Sequence, residues 1–554
     1  MAPIRWQRPP EALEGPEAPS YGGIAGRYLS DPEFARRFYG AHPADCEGDA
    51  PCLVAQAVAR RTYPRAEVAA ILRRQNERWG LADEAARRID ELAREGTLCV
   101  FTGQQAGLLT GPLYTIYKAL SAVRQAQRLA DALGVPVVPI FWLAGDDHDL
   151  AEIDHVVVPD ADGRPRTCRY RTASLPGARV ARQRFGADIV PWLAETLALI
   201  ADGPGRAEVA AVLSEAYRPG RSWVDACAIA LSCWLGRFGL VLVSPDDEDL
   251  KRLMAPIFRA EIDDPHVSRR ALAERDEAIR AAGYAPQVGH GEAATLVFVD
   301  DDAGKRRRVD LVDGGFAWNE GREPVLPAAM EWLLEETPER FSASALLRPV
   351  TADTVFPTVM HVMGPGEIAY MAQARALYDR HGVPMPLVAP RASFTVVPPE
   401  IARLIEEEGA SVADAFQPVD RWFGRLAAEE ARARYGAELD ACRRSVDAAY
   451  DRVDAVVGER LPGLRTAVLS ARMKTQAIAS RLARKLDQEV RRQSQPRRER
   501  LQRIGDAVYP LDDPQERVYP IVPSIARYGL GWLDALLDAI DPRRTAHVIL
   551  RPAE

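Results

Sequence analysis

The stretch LCVFTGQQAGLLTGPLYTIYK, residues 98–118, reads as an apolar strand, a glycine-bearing loop and the start of a helix, with Pro112 suited to the first helical position. A junction of this kind leaves backbone N–H groups and a positive dipole end beside the loop, so the first expectation is a site for a phosphate or a carboxylate. Thr102, Gln104, Gln105, Tyr114, Thr115 and Lys118 add polar groups that are costly to bury without partners. Thr115 and Lys118 share a helix face. No GK[ST] follows the glycines, and Gly103, Gly107 and Gly111 are spaced by four, so neither the Walker nor the GxGxxG pattern is present. The plainer alternative is that the glycines only permit a tight strand-to-helix turn.

Outward from that stretch, PVVPIFWL (136–143), GLVLVS (239–244), Met360–Met363 and MPLVAP (385–390) are further short apolar runs, several followed by helical patterns. Near-continuous apolar strands are usual where both faces of a parallel sheet are covered, which predicts an α/β fold with a doubly wound core. The core is expected over residues 1–420, with insertions at about 160–235 and 255–345. Residues 295–312 read as a β-hairpin around DDAGK. From 421 to 505 the pattern changes. Tyr435, Leu439, Cys442, Val446, Ala449, Val453 and Val456 follow a heptad seam, Pro462-Gly463 breaks it, and Val468, Ala471, Thr475, Ile478 and Leu482 resume it. This predicts an antiparallel helical coiled-coil hairpin that forms a homodimer, followed by a segment, 506–554, that packs back on the core. Residues 471–504 carry a surplus of basic side chains, read as a solvated face or as a seat for an acidic ligand or partner segment.

The net charge of −8 argues against nucleic acid as a partner, and seven cysteines without a CxxC pair suit a reducing compartment. No apolar leader and no apolar run of about 18 residues is present, so no membrane association is expected and the location is expected to be cytoplasmic.

Two further constellations carry chemistry. Asp146-Asp147-His148-Asp149 follow PVVPIFWL directly, where doubly wound proteins place ligands. If that segment is helical, His148, Glu152 and His155 share a face, able to supply a base, bind an ammonium group or ligate a metal; helix capping would also account for some of the aspartates. His148 is the best-suited proton-transfer group by its ordinary pKa. No metal-ligand spacing of defined type is present. The second is Gly364-Pro365-Gly366-Glu367 with Tyr370, a second strand-to-helix junction that predicts a cleft shared with the first. Arg391 is the nearest cation for an anionic ligand.

Taken together, TGQQAGLLTGPLYTIYKALSA (102–122), FWLAGDDHDLAEIDH (141–155), GYAPQVGHGE (283–292), LLRPVTADTVFPTVMHVMGPGEIAYMAQ (346–373) and PLDDPQERVYPIVPSIARYG (510–529) resemble the bacillithiol biosynthesis cysteine-adding enzyme family, BshC. The resemblance implies a Rossmann-type core with connecting insertions, a dimer through a helical coiled coil, and a ligase that joins the cysteine carboxyl to the amine of glucosaminyl-malate. Amide formation from a free carboxylate calls for ATP or another nucleotide, expected from energetics and not from a motif, with no metal beyond any magnesium that nucleotide carries. Asp146, Asp147, His148, Asp149 and Lys118 are then the expected catalytic groups. The two glycine-bearing loops, Tyr370 and Arg391 are the expected binding groups. Outside that family, a metal-dependent amide hydrolase built on the GDDHD cluster and a non-catalytic coiled-coil scaffold are the alternatives.

Overall fold

The buried runs seen in the sequence become one parallel sheet in a computed structural model of the chain, which describes residues 6–13, 21–171, 175–289, 291, 293–318 and 324–553. Its strands are β1 (Leu98–Gln104), β2 (Val137–Leu143), β3 (Val241–Val243), β4 (Thr358–Met363) and β5 (Leu387–Pro390). The order across the sheet is β5-β4-β1-β2-β3 with every pair parallel. Every residue of β2 is buried, and from Ile140 onward its side chains alternate between two cores. Val138, Ile140 and Trp142 pack into one, with Phe101 and Met363. Phe141 and Leu143 pack into the other, with Ile116, Tyr117 and Leu120 of helix α1 (Leu113–Leu133). A strand flanked by helices on both sides needs apolar residues in both registers, which is why the run is continuous.

β1 and β2 approach closely at Gly103, where a Cβ would lie 2.6 Å from the Trp142 carbonyl oxygen and 2.8 Å from the Trp142 Cβ. The order in which successive strands are laid down reverses at β1: β2 and β3 lie to one side, β4 and β5 to the other. In open parallel sheets this reversal opens a crevice at the carboxyl ends of the strands.

The chain divides into two compact units, residues 397–514 and the remainder. These units meet at 396/397 and 514/515. In the larger unit, the expected hairpin is present as Ala294–Asp300 paired with Arg306–Val312, inside a four-stranded antiparallel sheet. The terminal strand Val548–Pro552 pairs with Phe394–Val396 and with Trp6–Ala12, tying both ends of the chain to the core. All seven cysteines are unpaired. No helix among the described residues is long and apolar enough to cross a membrane.

The smaller unit contains helices Val419–Arg460 and Arg465–Gln493. Pairing of Tyr450 with Thr475, of Arg472 with Asp447, and of Arg465 with Asp454 fixes them as antiparallel. Burial along the seam is uneven. Tyr435, Leu439 and Val446 are half-buried, as are Val468 and Thr475 on the return helix, whereas Cys442, Ala449, Val453, Val456, Ala471, Ile478 and Leu482 are exposed. Within the basic segment, Arg497 and Arg500 are spent on Glu408, and Arg498 on Asp420.

Candidate functional site

A cavity of about 570 Å³ lies at the switch point, between the loops that leave β1 and β4. Gly103, Gln104 and Gln105 line it from β1 and its loop, Tyr114 and Lys118 from α1, and Asp147 and Glu152 from the turns after β2. Gly364, Gly366, Glu367 and Tyr370 line it from the β4 loop and helix α2 (Pro365–His381), together with Arg348, Arg391 and Arg517. A second cavity of about 390 Å³ adjoins it and shares Ala144, Asp147, Val288, Ala345 and Arg348.

Lys118 is almost wholly buried, and its three N–H donors meet three acceptors: the Gly103 carbonyl at 2.5 Å, Gln104 Oε1 at 3.0 Å and Glu367 Oε2 at 2.6 Å. Its ammonium is therefore a tie between the two loops and has no donor left for a reacting anion. Burial lowers the Lys118 pKa, with Glu367 opposing. For Glu367 burial acts upward, yet Lys118 and Arg348 outweigh it and hold the carboxyl below its ordinary range. Glu367 also accepts from the Gly364 N–H at 2.8 Å, capping α2.

Arg391 is committed as well. Its guanidinium holds Glu516 bidentately at 2.9 and 2.7 Å and donates to the Ala392 carbonyl. Glu516 in turn accepts from Ser393 Oγ and the Phe394 N–H. His547 sits beside this group between Ser393 Oγ (2.7 Å) and Thr395 Oγ1 (2.9 Å); burial depresses its pKa to about 4 despite Glu516.

The loop 107–111 is not an open cradle. Leu108 and Leu109 are in the core, and the Leu109 N–H donates to the Tyr217 hydroxyl. Gly107 and Gly111 pack against each other, with Gly111 at φ +75°. Thr102 Oγ1 is bonded across the sheet to the Val362 carbonyl, and Thr115 is fully buried. None of these four lines the cavity. Pro112 is the N-cap residue of α1, and the Leu113 N–H donates to the Tyr519 carbonyl, so that helix start is closed by the C-terminal segment.

The segment after β2 forms turns, not a helix, so His148, Glu152 and His155 share no face. His155 begins the strand His155–Pro159. His148 and Asp149 are exposed and outside both cavities; the Asp149 carboxylate accepts from the Ala151 N–H. Asp146 turns inward to Lys251 at 2.7 Å and to Arg179 at 3.1 Å, and Arg179 also pairs with Asp246 and Asp300. Burial acts upward on the Asp146 pKa, but Lys251 and Arg179 bring it below its ordinary range. Asp147 is the member of the cluster that faces both cavities. One oxygen caps its own turn through the His148 N–H, and the other accepts from Gln105 Nε2, which also reaches Glu152 at 2.8 Å.

The residues not singled out from sequence are Arg348, Arg517 and Arg306. Arg348 donates to the Tyr370 hydroxyl at 2.6 Å and lines both cavities. Arg517 is exposed at the main cavity, and Arg306 lines the second. Arg348 and Arg517 lie in stretches quoted for the resemblance, LLRPVTAD and DDPQERVYP, but nothing in their spacing distinguishes them from surface arginines. Gly366 carries one of the first-turn N–H groups that a helix cannot satisfy internally, and it lines the cavity. Thus the helix start that serves the cleft is the second one. Among the described residues no group of three or more His, Cys, Asp or Glu side chains is arranged to hold a metal ion. His290 and Glu292, in the GYAPQVGHGE stretch, lie outside the described residues.

Residues 17–392 match the family model described as Bacillithiol biosynthesis BshC, N-terminal Rossmann-like domain, and residues 394–552 match its C-terminal coiled-coil domain. Curated relatives carry the name "Putative cysteine ligase BshC". The one from Salinibacter ruber is 32% identical over 94% of this chain and 95% of its own length. That from Symbiobacterium thermophilum is 33% identical over 86% and 88%, and that from Geobacillus kaustophilus 30% over 92% and 94%.

Two outcomes follow from the buried ties. Lys118→Met leaves Glu367 without its main counter-charge and is expected to cost about 3–5 kcal/mol in urea unfolding. Adding Glu367→Gln is expected to recover part of that loss, and strict additivity of the two would contradict the tie. For His547, the unfolded chain takes up a proton near pH 6.5 and the folded chain only near 4. Stability is therefore expected to fall as pH drops through that window, by about 3 kcal/mol, and to level off below it. Unfolding midpoints measured from pH 7 to 3.5 are expected to show this extra slope in the wild type and not in His547→Gln.

Proposed function

Because the chain belongs to the BshC family of bacillithiol biosynthesis, we propose that it is a cysteine ligase joining the carboxyl group of L-cysteine to the amine of glucosaminyl-malate. The observation that carries this reading is the correspondence with relatives bearing the ligase name over nearly the whole length of both chains. That name favours a ligase over the hydrolase and scaffold readings. The same reading takes the enzyme to be cytoplasmic.

The reaction forms one C–N bond and expels one carboxyl oxygen from cysteine, so the carboxylate must be activated and the sugar ammonium must lose a proton before it attacks. The cleft offers groups for each task. Arg348, Arg517 and the Gly366 amide are donors toward anionic groups and a developing oxyanion. Asp147 and Glu152, joined through Gln105, are carboxylates suited to receive the ammonium and its proton. ATP or another nucleotide supplies the activation when bound, and the donors on Arg348, Arg517 and Gly366 fit a polyphosphate. Lys118 and Glu367 keep the two loops at fixed separation, and Arg391 with Glu516 does the same for the wall of the cleft.

The exposed apolar side chains of the hairpin support a homodimer. Val453, Val456, Leu469, Met473, Ile478 and Leu482 are each at least 49% exposed in the single chain. A second copy of the hairpin supplies an apolar surface of the same kind.

Purified protein given cysteine, glucosaminyl-malate and ATP is expected to form bacillithiol by mass spectrometry. Arg348→Met is expected to slow turnover about 10²-fold with the circular dichroism spectrum unchanged. Absence of product from folded wild type across the common nucleotides would overturn the ligase. In light scattering the wild type is expected at twice the 61.0 kDa chain mass, and the Val453→Asp, Ile478→Asp double variant at the mass of one chain with its helicity kept. A single-chain mass for the wild type at micromolar concentration would leave the exposed face without its second copy.

A further inference from the structure

The second cavity, of about 390 Å³, opens beside Asp147; its wall is largely apolar, with Arg306, Arg308 and Arg348 as its cations and Asp146 and Asp147 as its carboxylates, and Arg308 is paired with Asp310. Arg306 is held in place on three sides. Its guanidinium lies 3.8 Å above the Phe298 ring, Nε donates to Ser342 Oγ at 3.0 Å, and Nη2 donates to the Ala343 carbonyl at 2.9 Å. Nη1 is left with His148 Nδ1 at 3.5 Å, a distance at which a hydrogen bond contributes little. Trp142, which also lines this cavity, is 2% exposed, and its indole N–H is buried without an acceptor among the described residues. Arg348 forms the boundary with the main cleft and spends one bond on Tyr370.

The carboxylates nearby do not balance these donors. Both oxygens of Asp146 are engaged by Arg179 and Lys251, and those of Asp147 by its own turn and by Gln105. Burial lowers the Arg306 pKa even with Asp146 and Asp147 near, as expected of a cation whose counter-charges are shared elsewhere. Apart from Asp147 at the boundary with the main cleft, an ammonium group would meet only the Asp146 carboxylate, already shared by two cations, which argues against seating the amino end of cysteine here. The first-turn amide of Gly366 and the Arg517 side chain, suited to phosphate, line the other cavity. The remaining fit is a carboxylate-bearing group without an amine of its own.

Resting on the ligase reading, we infer that this second cavity seats the malyl part of the acceptor, with its two carboxylates on Arg306, Arg348 and the Trp142 indole N–H. The glycosidic carbon and the amine-bearing carbon of glucosamine are neighbours, so a malyl group seated there brings the amine to the boundary where Asp147 faces both cavities. The arrangement divides the labour between cavities: Arg306 and Trp142 select the acceptor, and the main cleft holds cysteine and the activating group.

Steady-state kinetics of Arg306→Gln, Arg306→Lys and Trp142→Phe test this. Arg306→Gln is expected to raise KM for glucosaminyl-malate by about tenfold to a hundredfold, Arg306→Lys by less, and Trp142→Phe by about tenfold, with KM for cysteine and for the nucleotide unchanged. L-Malate alone, titrated calorimetrically, is expected to bind wild type and to lose affinity in the same order. A rise in KM for cysteine or nucleotide in place of the acceptor overturns the inference, as does malate affinity that is equal in wild type and in the folded Arg306→Lys and Trp142→Phe variants. If wild type binds malate at Arg306 yet makes no bacillithiol, the ligase reading fails and the carboxylate seat stands. If it makes bacillithiol with these KM values unmoved, the seat fails and the ligase stands.

Discussion

A buried ammonium with its three donors satisfied holds the cleft together. Lys118 reaches from α1 to the carbonyl of Gly103, to the side chain of Gln104 and to Glu367 at the start of α2. These acceptors belong to the two strand-to-helix connections that flank the reversal of strand order. Taking a lysine and a glutamate out of water is costly, and the attraction between them offsets that cost only when the remaining donors and acceptors are also met. Here they are: Glu367 has the Gly364 amide as a further donor and Arg348 nearby. The pair is thus better understood as fixing the spacing of two loops than as a store of stability. Arg348 and Gly366 then stand at set positions around one space.

A second buried charge cluster performs the same task for the turn after β2. Arg179 is wholly buried and joins Asp146, Asp246 and Asp300, which come from three separate parts of the chain. Lys251 adds a second cation on Asp146. Backbone bonds from Val180 to the Asp147 carbonyl and from Ala181 to Gly145 complete the hold. The inserted pieces therefore do more than decorate the sheet, because they orient Asp147 toward the space between the cavities while Asp146, at the edge of the second cavity, is held by Arg179 and Lys251.

The parallel sheet was legible in the sequence because burial on both faces imposes an unbroken apolar run, and β2 shows this at every residue. The position of the cleft was legible for a related reason: strand ends followed by glycine-bearing turns recur at both loops that line it. The roles of single polar residues were not. Whether Lys118 is free depends on Glu367, 249 positions later, and whether Arg391 is free depends on Glu516. Likewise the amide at the start of α1 is closed by Tyr519 from near the end of the chain. A helix start, a lysine or an arginine has the same local appearance whether it is spent on a distant partner or open to a ligand, so local spacing alone overcounted the available cations and missed Arg348, Arg517 and Arg306.

The hairpin shows the same limit in another form. A heptad pattern specifies which residues are apolar on a helix, but not how much of each the neighbouring helix covers. Tyr435, Leu439 and Val446 turn toward the return helix, and polar pairs such as Tyr450 with Thr475 and Arg472 with Asp447 share that inner face. Val453, Val456, Ile478 and Leu482 keep the same heptad character but are solvent-exposed. Apolar side chains left about half exposed contribute only part of their burial within one chain, and a run of them on a long hairpin favours association. The mixed inner face, rich in charge and hydrogen bonds, fixes the register of the two helices. Val453 lies seven residues after Val446, and Leu482 seven after Thr475, so the exposed members continue the faces of the half-buried ones and differ from them in how much the neighbouring helix covers.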